Sequence, residues 1–83
     1  MYEIKFKKKA LIFFKKLDGV IRERIGKKIE QLKENPKLGK PLIGNLAGLW
    51  RLRTGKYRIV YKIIDNELLI FVLDIDHRKS VYG

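Results

Sequence analysis

The sequence predicts a small α+β domain: a short N-terminal strand, then an antiparallel helical hairpin packed on an antiparallel three-stranded meander, with about four strands in one sheet. Three observations lead there. Residues 49–61 alternate apolar and basic with a period of two, the pattern of strands with one buried and one exposed face. Apolar stripes at helical spacing run between Ala10 and Glu34. Turn signals at Gly55-Lys56 and Asp65-Asn66 cut the C-terminal half into segments of strand length. The 83 residues are expected to form a single domain, 1–83. A chain of that size buries only about 60–65% of its unfolded surface, so each large side chain weighs in the core.

The elements follow in order. Tyr2-Glu3-Ile4-Lys5-Phe6 alternates and reads as a strand with Tyr2, Ile4 and Phe6 inward; its direction in the sheet is open. Lys7-Lys8-Lys9 is a solvated junction that adds to a phosphate-attracting field. Ala10 to Leu17 carries apolar residues at 10, 11, 13, 14 and 17, one helical face. Asp18-Gly19 follows, with two readings: glycine closes the first helix, or Asp18 caps the second. The second helix, about Val20 to Glu34, has the stripe Ile21, Ile25, Ile29, Leu32 and an i,i+4 pair, Glu23 and Lys27. Asn35-Pro36 stops it, because the residue before proline avoids the helical region. Residues 35–48, with two prolines and three glycines, form a long loop expected to be pinned to the core by Leu38, Leu42, Ile43 and Leu46.

Gly55-Lys56 suits a two-residue type II′ turn. That turn sets Arg53 opposite Arg58, Leu52 opposite Ile59 and Trp50 opposite Tyr61. Trp50, Leu52, Tyr57, Ile59, Tyr61 and Ile63 then share the core face, and Arg51, Arg53, Arg58 and Lys62 the other. A two-residue turn at Asp65-Asn66 sets Ile59 opposite Val72 and Arg58 opposite Leu73. Leu68–Leu73 is apolar without alternation and reads as a central strand beside the N-terminal one. Continued alternation puts His77 on the arginine face.

Composition narrows the function. With 46% hydrophobic and 35% charged residues the chain is globular. It has no cysteine and one histidine, so no thiol catalysis, disulfide framework or multi-histidine metal cluster is available. The longest unbroken apolar run, Leu68–Leu73, is far short of a membrane span, and Ala10–Phe14 is too short for a signal sequence, so a soluble cytoplasmic protein is expected. The net charge of +11 points to a polyanionic partner, nucleic acid first.

Like charges directly opposite on a sheet are destabilising, so Arg51, Arg53 and Arg58 on one face imply an anion that neutralises them. Arginine displaces lysine in this stretch, and guanidinium suits multidentate contact with phosphate. A merely solvated charged face is the plainer reading. No Ser-His-Asp set, Walker loop, dinucleotide glycine pattern or zinc spacing is present. Asp74 and Asp76 share a strand face and suit pairing with lysine and arginine better than a metal. Arg51, Arg53, Arg58, His77, Arg78 and Tyr82 together fit one reaction that needs no metal or cofactor. In it, the 2′-hydroxyl of an RNA nucleotide attacks its own phosphate and expels the next 5′-oxygen. His77 titrates near neutrality and is a natural general acid or base, or else a surface residue at a strand end. Tyr82 stacks a splayed base or anchors the C-terminus.

The run Leu46-Ala47-Gly48, Trp50-Arg51-Leu52-Arg53, Gly55-Lys56-Tyr57-Arg58-Ile59-Val60-Tyr61, with the ending His77-Arg78-Lys79-Ser80-Val81-Tyr82, resembles the RelE toxins of the RelE/ParE superfamily. The resemblance implies the small RelE-like fold and the toxin of a type II toxin–antitoxin pair. Such toxins are metal-independent endoribonucleases that cleave messenger RNA in the ribosomal A site, inhibit translation and are blocked by a cognate RelB-like antitoxin. The implied partners are thus antitoxin, ribosome and message, with no membrane and no small-molecule cofactor. By position, Arg58 would stabilise the scissile phosphate, Arg78 would protonate the leaving oxygen or offset its charge, and Tyr82 would stack or assist proton transfer. Arg51, with Arg53 and Lys56, would bind substrate. Leu49 and Ala47 stand where some members carry a lysine and an arginine, and the interval from Arg78 to Tyr82 is shorter. Two further readings stay open: a non-enzymatic ParE-like toxin that binds DNA gyrase, and a plain basic RNA-binding module.

Overall fold

The computed structural model describes residues 1–77. Strand β1 (Glu3–Phe6) leads into helices α1 (Lys8–Lys15) and α2 (Gly19–Gln31). Strands β2 (Lys40–Pro41), β3 (Leu49–Thr54), β4 (Tyr57–Ile64) and β5 (Leu69–His77) follow. They form one sheet in the order β1-β5-β4-β3-β2. The expected meander is β3, β4 and β5, and β1 joins β5 in parallel, with Ile4 beside Ile70. The fifth strand was hidden in the loop: Lys40 pairs with Arg51 and Pro41 with Trp50 at the sheet edge, where a missing N–H costs no ladder bond.

Both helices lay their apolar stripes on one face of the sheet. Ala10, Ile25, Ile29 and Leu32 meet Leu52, Ile59, Tyr61, Ile70, Val72 and Ile75 in a continuous buried core. Truncating one of the large members to alanine would cost about 2–5 kcal/mol. The junction between helices resolves the two readings of Asp18-Gly19. Asp18 sits at the N-cap position of α2, its carbonyl accepting from the Arg22 N–H at 2.7 Å, while its side chain makes no capping bond. Gly19 begins α2 rather than closing α1. The open carbonyls at the end of α1 are met from across the junction, where the Arg22 guanidinium donates to Lys15 O at 3.1 Å and Leu17 O at 3.3 Å.

The first hairpin has the expected register, from Thr54 opposite Tyr57 to Trp50 opposite Tyr61. Gly55 has φ +60° and Lys56 does not share the positive φ, as a type II′ turn requires. The second connection differs from expectation. Asp65–Glu67 forms a 3₁₀ turn and Leu68 adopts a left-handed conformation, φ 50°, so four residues rather than two separate the strands. A bulge then inserts Leu73 opposite the Val60/Tyr61 step. Ile59 therefore faces Ile75 and Arg58 faces Asp76, not Val72 and Leu73.

Two of the expected loop anchors also differ. Leu38 packs on the core and Leu42 is half-buried, but Ile43 and Leu46 are 86% and 48% exposed. The loop is held instead by the Tyr61 hydroxyl, which donates to Pro36 O at 2.6 Å and accepts from the Gly39 N–H at 3.1 Å. Burial raises the Tyr61 pKa above its usual value, and the Gly39 hydrogen bond offsets part of that rise. Gly39 is there because nothing larger fits: a Cβ would lie 2.5 Å from Arg51 O. No helix of the described residues is long and apolar enough to cross a membrane.

Candidate functional site

The face of the sheet away from the helices carries a groove of about 380 Å³. Leu42, Leu46, Leu49, Val60 and Leu73 give it an apolar floor and wall, and Lys7, Lys9, Arg51, Arg58, Asp74 and Asp76 its charge. The strand ladder explains the arrangement. Asp76, Arg58 and Arg53 form one row across β5, β4 and β3, and Asp74, Val60, Arg51 and Lys40 the next row, extending to β2. Paired residues on neighbouring strands lie about 5 Å apart and face the same way.

Arg58 is the most enclosed of the groove's cations, its side chain 15% exposed, and its Nε meets Asp76 Oδ1 at 3.3 Å. Part of the charge that the sequence leaves without a counter-ion is thus met from β5. Asp74 is likewise engaged, by Lys9 at 3.7 Å. Each carboxylate has a cation, as the sequence favours, and no group of three or more His, Cys, Asp or Glu side chains gathers among the described residues. Lys40, Arg51 and Arg53 have no ion-pair partner among those residues.

The residues singled out from sequence separate into groups. Arg51 and Arg58 stand in the groove, and Arg53 neighbours Arg58 on the same face, lining a second, smaller cleft with Arg51. Lys56 is exposed at the hairpin turn and lines neither cleft. His77 is not on the arginine face. The Leu73 bulge reverses the alternation, so His77 pairs with Tyr57, and their rings meet edge-on at 5.0 Å. Tyr57 in turn meets Phe13 of α1 at 6.4 Å. Arg78 and Tyr82 lie outside the described residues. Sequence reasoning gave Asp76 no specific partner and gave the groove no lysine from the N-terminal run. The Lys7–Lys9 cluster was visible, but its proximity to β5 depends on the parallel pairing of β1, which pattern alone leaves open.

A basic α+β domain with guanidiniums lining an open groove, built from two helices on one face of a mixed sheet, belongs to a class of small anion-binding effectors. Comparison with known proteins makes this specific. Residues 4–82 match the model of the ParE toxin of type II toxin–antitoxin systems, parDE, and the chain belongs to this family. It is 29% identical over 80 residues to the mRNA interferase toxin RelE of Escherichia coli K12, covering 94% of this chain and 84% of the relative. Its fold superposes on the toxin–antitoxin complex RelBE2 from Mycobacterium tuberculosis with a TM-score of 0.85 at 33% identity, covering 93% of this chain and 98% of that one. The isolated E. coli RelE toxin gives 0.82 at 27% identity, covering 99% and 92%. The RelE-type fold implied by the Trp50–Tyr61 run and the His77–Tyr82 ending is borne out.

Proposed function

We propose that this protein is the toxin of a type II toxin–antitoxin pair and cleaves messenger RNA on the ribosome. The observation that carries the reading is Arg58, a mostly enclosed guanidinium beside Arg51 and Arg53 on an open face. Its Nε is taken by Asp76, which fixes the guanidinium plane and leaves its remaining N–H groups for a phosphate.

The reaction needs little more from the protein than position and charge. The 2′-hydroxyl oxygen bonds to the adjacent phosphorus, and the bond to the following 5′-oxygen breaks. One proton leaves the 2′-hydroxyl and one reaches the departing oxygen, giving a 2′,3′-cyclic phosphate and a 5′-hydroxyl. Negative charge grows on the non-bridging oxygens, where Arg58, assisted by Arg51, opposes it in a partly water-excluded groove. By the resemblance, Arg78 serves the leaving oxygen and Tyr82 stacks on a base. The apolar floor of Leu49, Val60 and Leu73 offers a second place for a splayed base. His77, packed on Tyr57, is assigned to structure.

The charge of +11 supports binding to ribosomal RNA and to an acidic antitoxin. Relatives from M. tuberculosis and E. coli are toxin–antitoxin complexes, and a RelB-like antitoxin is the partner proposed here. Cleavage of translated message belongs in the cytoplasm. The family model carries the ParE name, which favours gyrase binding as the second reading. Primer extension on a defined message in a translating extract separates them: cuts at ribosome-positioned codons support the nuclease. Arrested growth with intact message, together with lost supercoiling by gyrase, would replace it.

A further inference from the structure

We infer that Lys40, with Arg51 and Arg53, forms a second phosphate subsite, which holds the RNA phosphate next to the scissile one and directs the strand from β4 toward β2. This rests on the nuclease reading above. Three observations carry it. Lys40 and Arg51 are ladder partners, and with Arg53, Leu38, Gly39 and Leu52 they line a cleft of about 270 Å³. Arg51 lines this cleft and the Arg58 groove alike, so the two are continuous through its side chain. Among the described residues none of the cleft's cations has an ion-pair partner, whereas Arg58 and Lys9 in the groove are both paired.

The position of Lys40 is built. Gly39 permits the chain to approach Arg51 O more closely than any side chain would allow, and the Tyr61 hydroxyl clamps Pro36 O and the Gly39 N–H. Lys40 is the next residue. The field along the rows has a direction as well: carboxylates stand on β5, and unpaired cations on β3 and β2. A polyanion seated on Arg58 is repelled from the Asp74–Asp76 side and drawn across β3 to Lys40.

The test uses ribosomes programmed with a short synthetic message in which one phosphate beside the scissile one is replaced by a neutral methylphosphonate. With the wild-type chain, neutralising the contacted phosphate should lower kcat/KM about five- to tenfold, the scale of one charge-assisted hydrogen bond. Lys40→Ala should show a similar loss on the unmodified message and no further loss on the neutral one, and Lys40→Arg should restore the difference. Multiplying losses in Lys40→Ala, or a neutral phosphate on either side without effect on the wild type, would overturn the subsite. Failure of the wild-type chain to cut the unmodified message would overturn the nuclease reading and the subsite with it.

Discussion

Removing one oxygen atom, in Tyr61→Phe, should loosen the loop that carries Lys40 while leaving the core full. The ring is buried and stacks on Trp50 at 6.3 Å, and phenylalanine keeps that contact. What goes is the hydroxyl's two bonds, to Pro36 O at 2.6 Å and from the Gly39 N–H at 3.1 Å. Each is worth about 0.5–1.5 kcal/mol net, and the half-buried groups left behind keep part of their desolvation cost, so the loss should be about 2 kcal/mol. For a domain of this size that lowers Tm by about 8–16 °C. Gly39→Ala attacks the same clamp sterically, since the new Cβ would lie 3.0 Å from the Tyr61 oxygen as well as against the β3 backbone. The double variant should therefore lose less than the sum of the two single losses. Thermal unfolding followed by circular dichroism measures all three. A Tyr61→Phe shift under about 3 °C, or strict additivity with Gly39→Ala, would refute the clamp.

Further predictions concern the groove and the titration of the core. Arg58→Ala should reduce cleavage about 10²–10³-fold, as loss of one transition-state donor does, while antitoxin binding by calorimetry is largely kept; comparable loss of both would make Arg58 an interface or folding residue. His77→Phe preserves the ring contact with Tyr57 and should leave the cleavage rate within about threefold, the scatter of a change outside the reacting groups. A loss nearer the 10²–10⁴-fold of a missing acid or base would return His77 to the chemistry. The raised Tyr61 pKa means the folded state holds this proton more tightly than the unfolded one. Its contribution is full below the unfolded tyrosine pKa, about 10, and is lost as pH rises through the higher folded value. Urea unfolding at rising pH should thus show a steeper alkaline loss for the wild type than for Tyr61→Phe; equal slopes would contradict the assignment. Glu23→Ala removes an exposed ion pair with Lys27, 3.4 Å long, and should shift Tm by less than about 3 °C.

The hairpin was legible to the residue because its connection is two residues long and glycine fixes its phase, so alternation on either side needs no further information. The helical stripe Ile25, Ile29, Leu32 was legible for the same reason: burial on one face leaves a period in the sequence. The β4–β5 register was not. Leucine in a left-handed conformation is rare and carries no local signal, and a bulge within an unbroken apolar run leaves no break in pattern. Those two features moved Arg58 from Leu73 to Asp76 and took His77 off the arginine face. Lys40–Pro41 escaped because a two-residue strand between a glycine and a proline reads as loop. Which residues are basic could be read directly; which of them already has a counter-ion required the fold.

The Leu73 bulge has a bearing on how this chain tolerates change. Upstream of it, Ile70 and Val72 point into the core; downstream, Ile75 does, three positions on instead of two. Deleting Leu73 alone would act as several substitutions at once. Asp74 and Asp76 would turn under the helices, Ile75 would turn to solvent, and Arg58 would lose its carboxylate. Length in β5 is therefore under tighter restraint than side-chain identity. An exchange such as Leu73→Val is a local event, whereas the loss of one codon there would dismantle core and groove together.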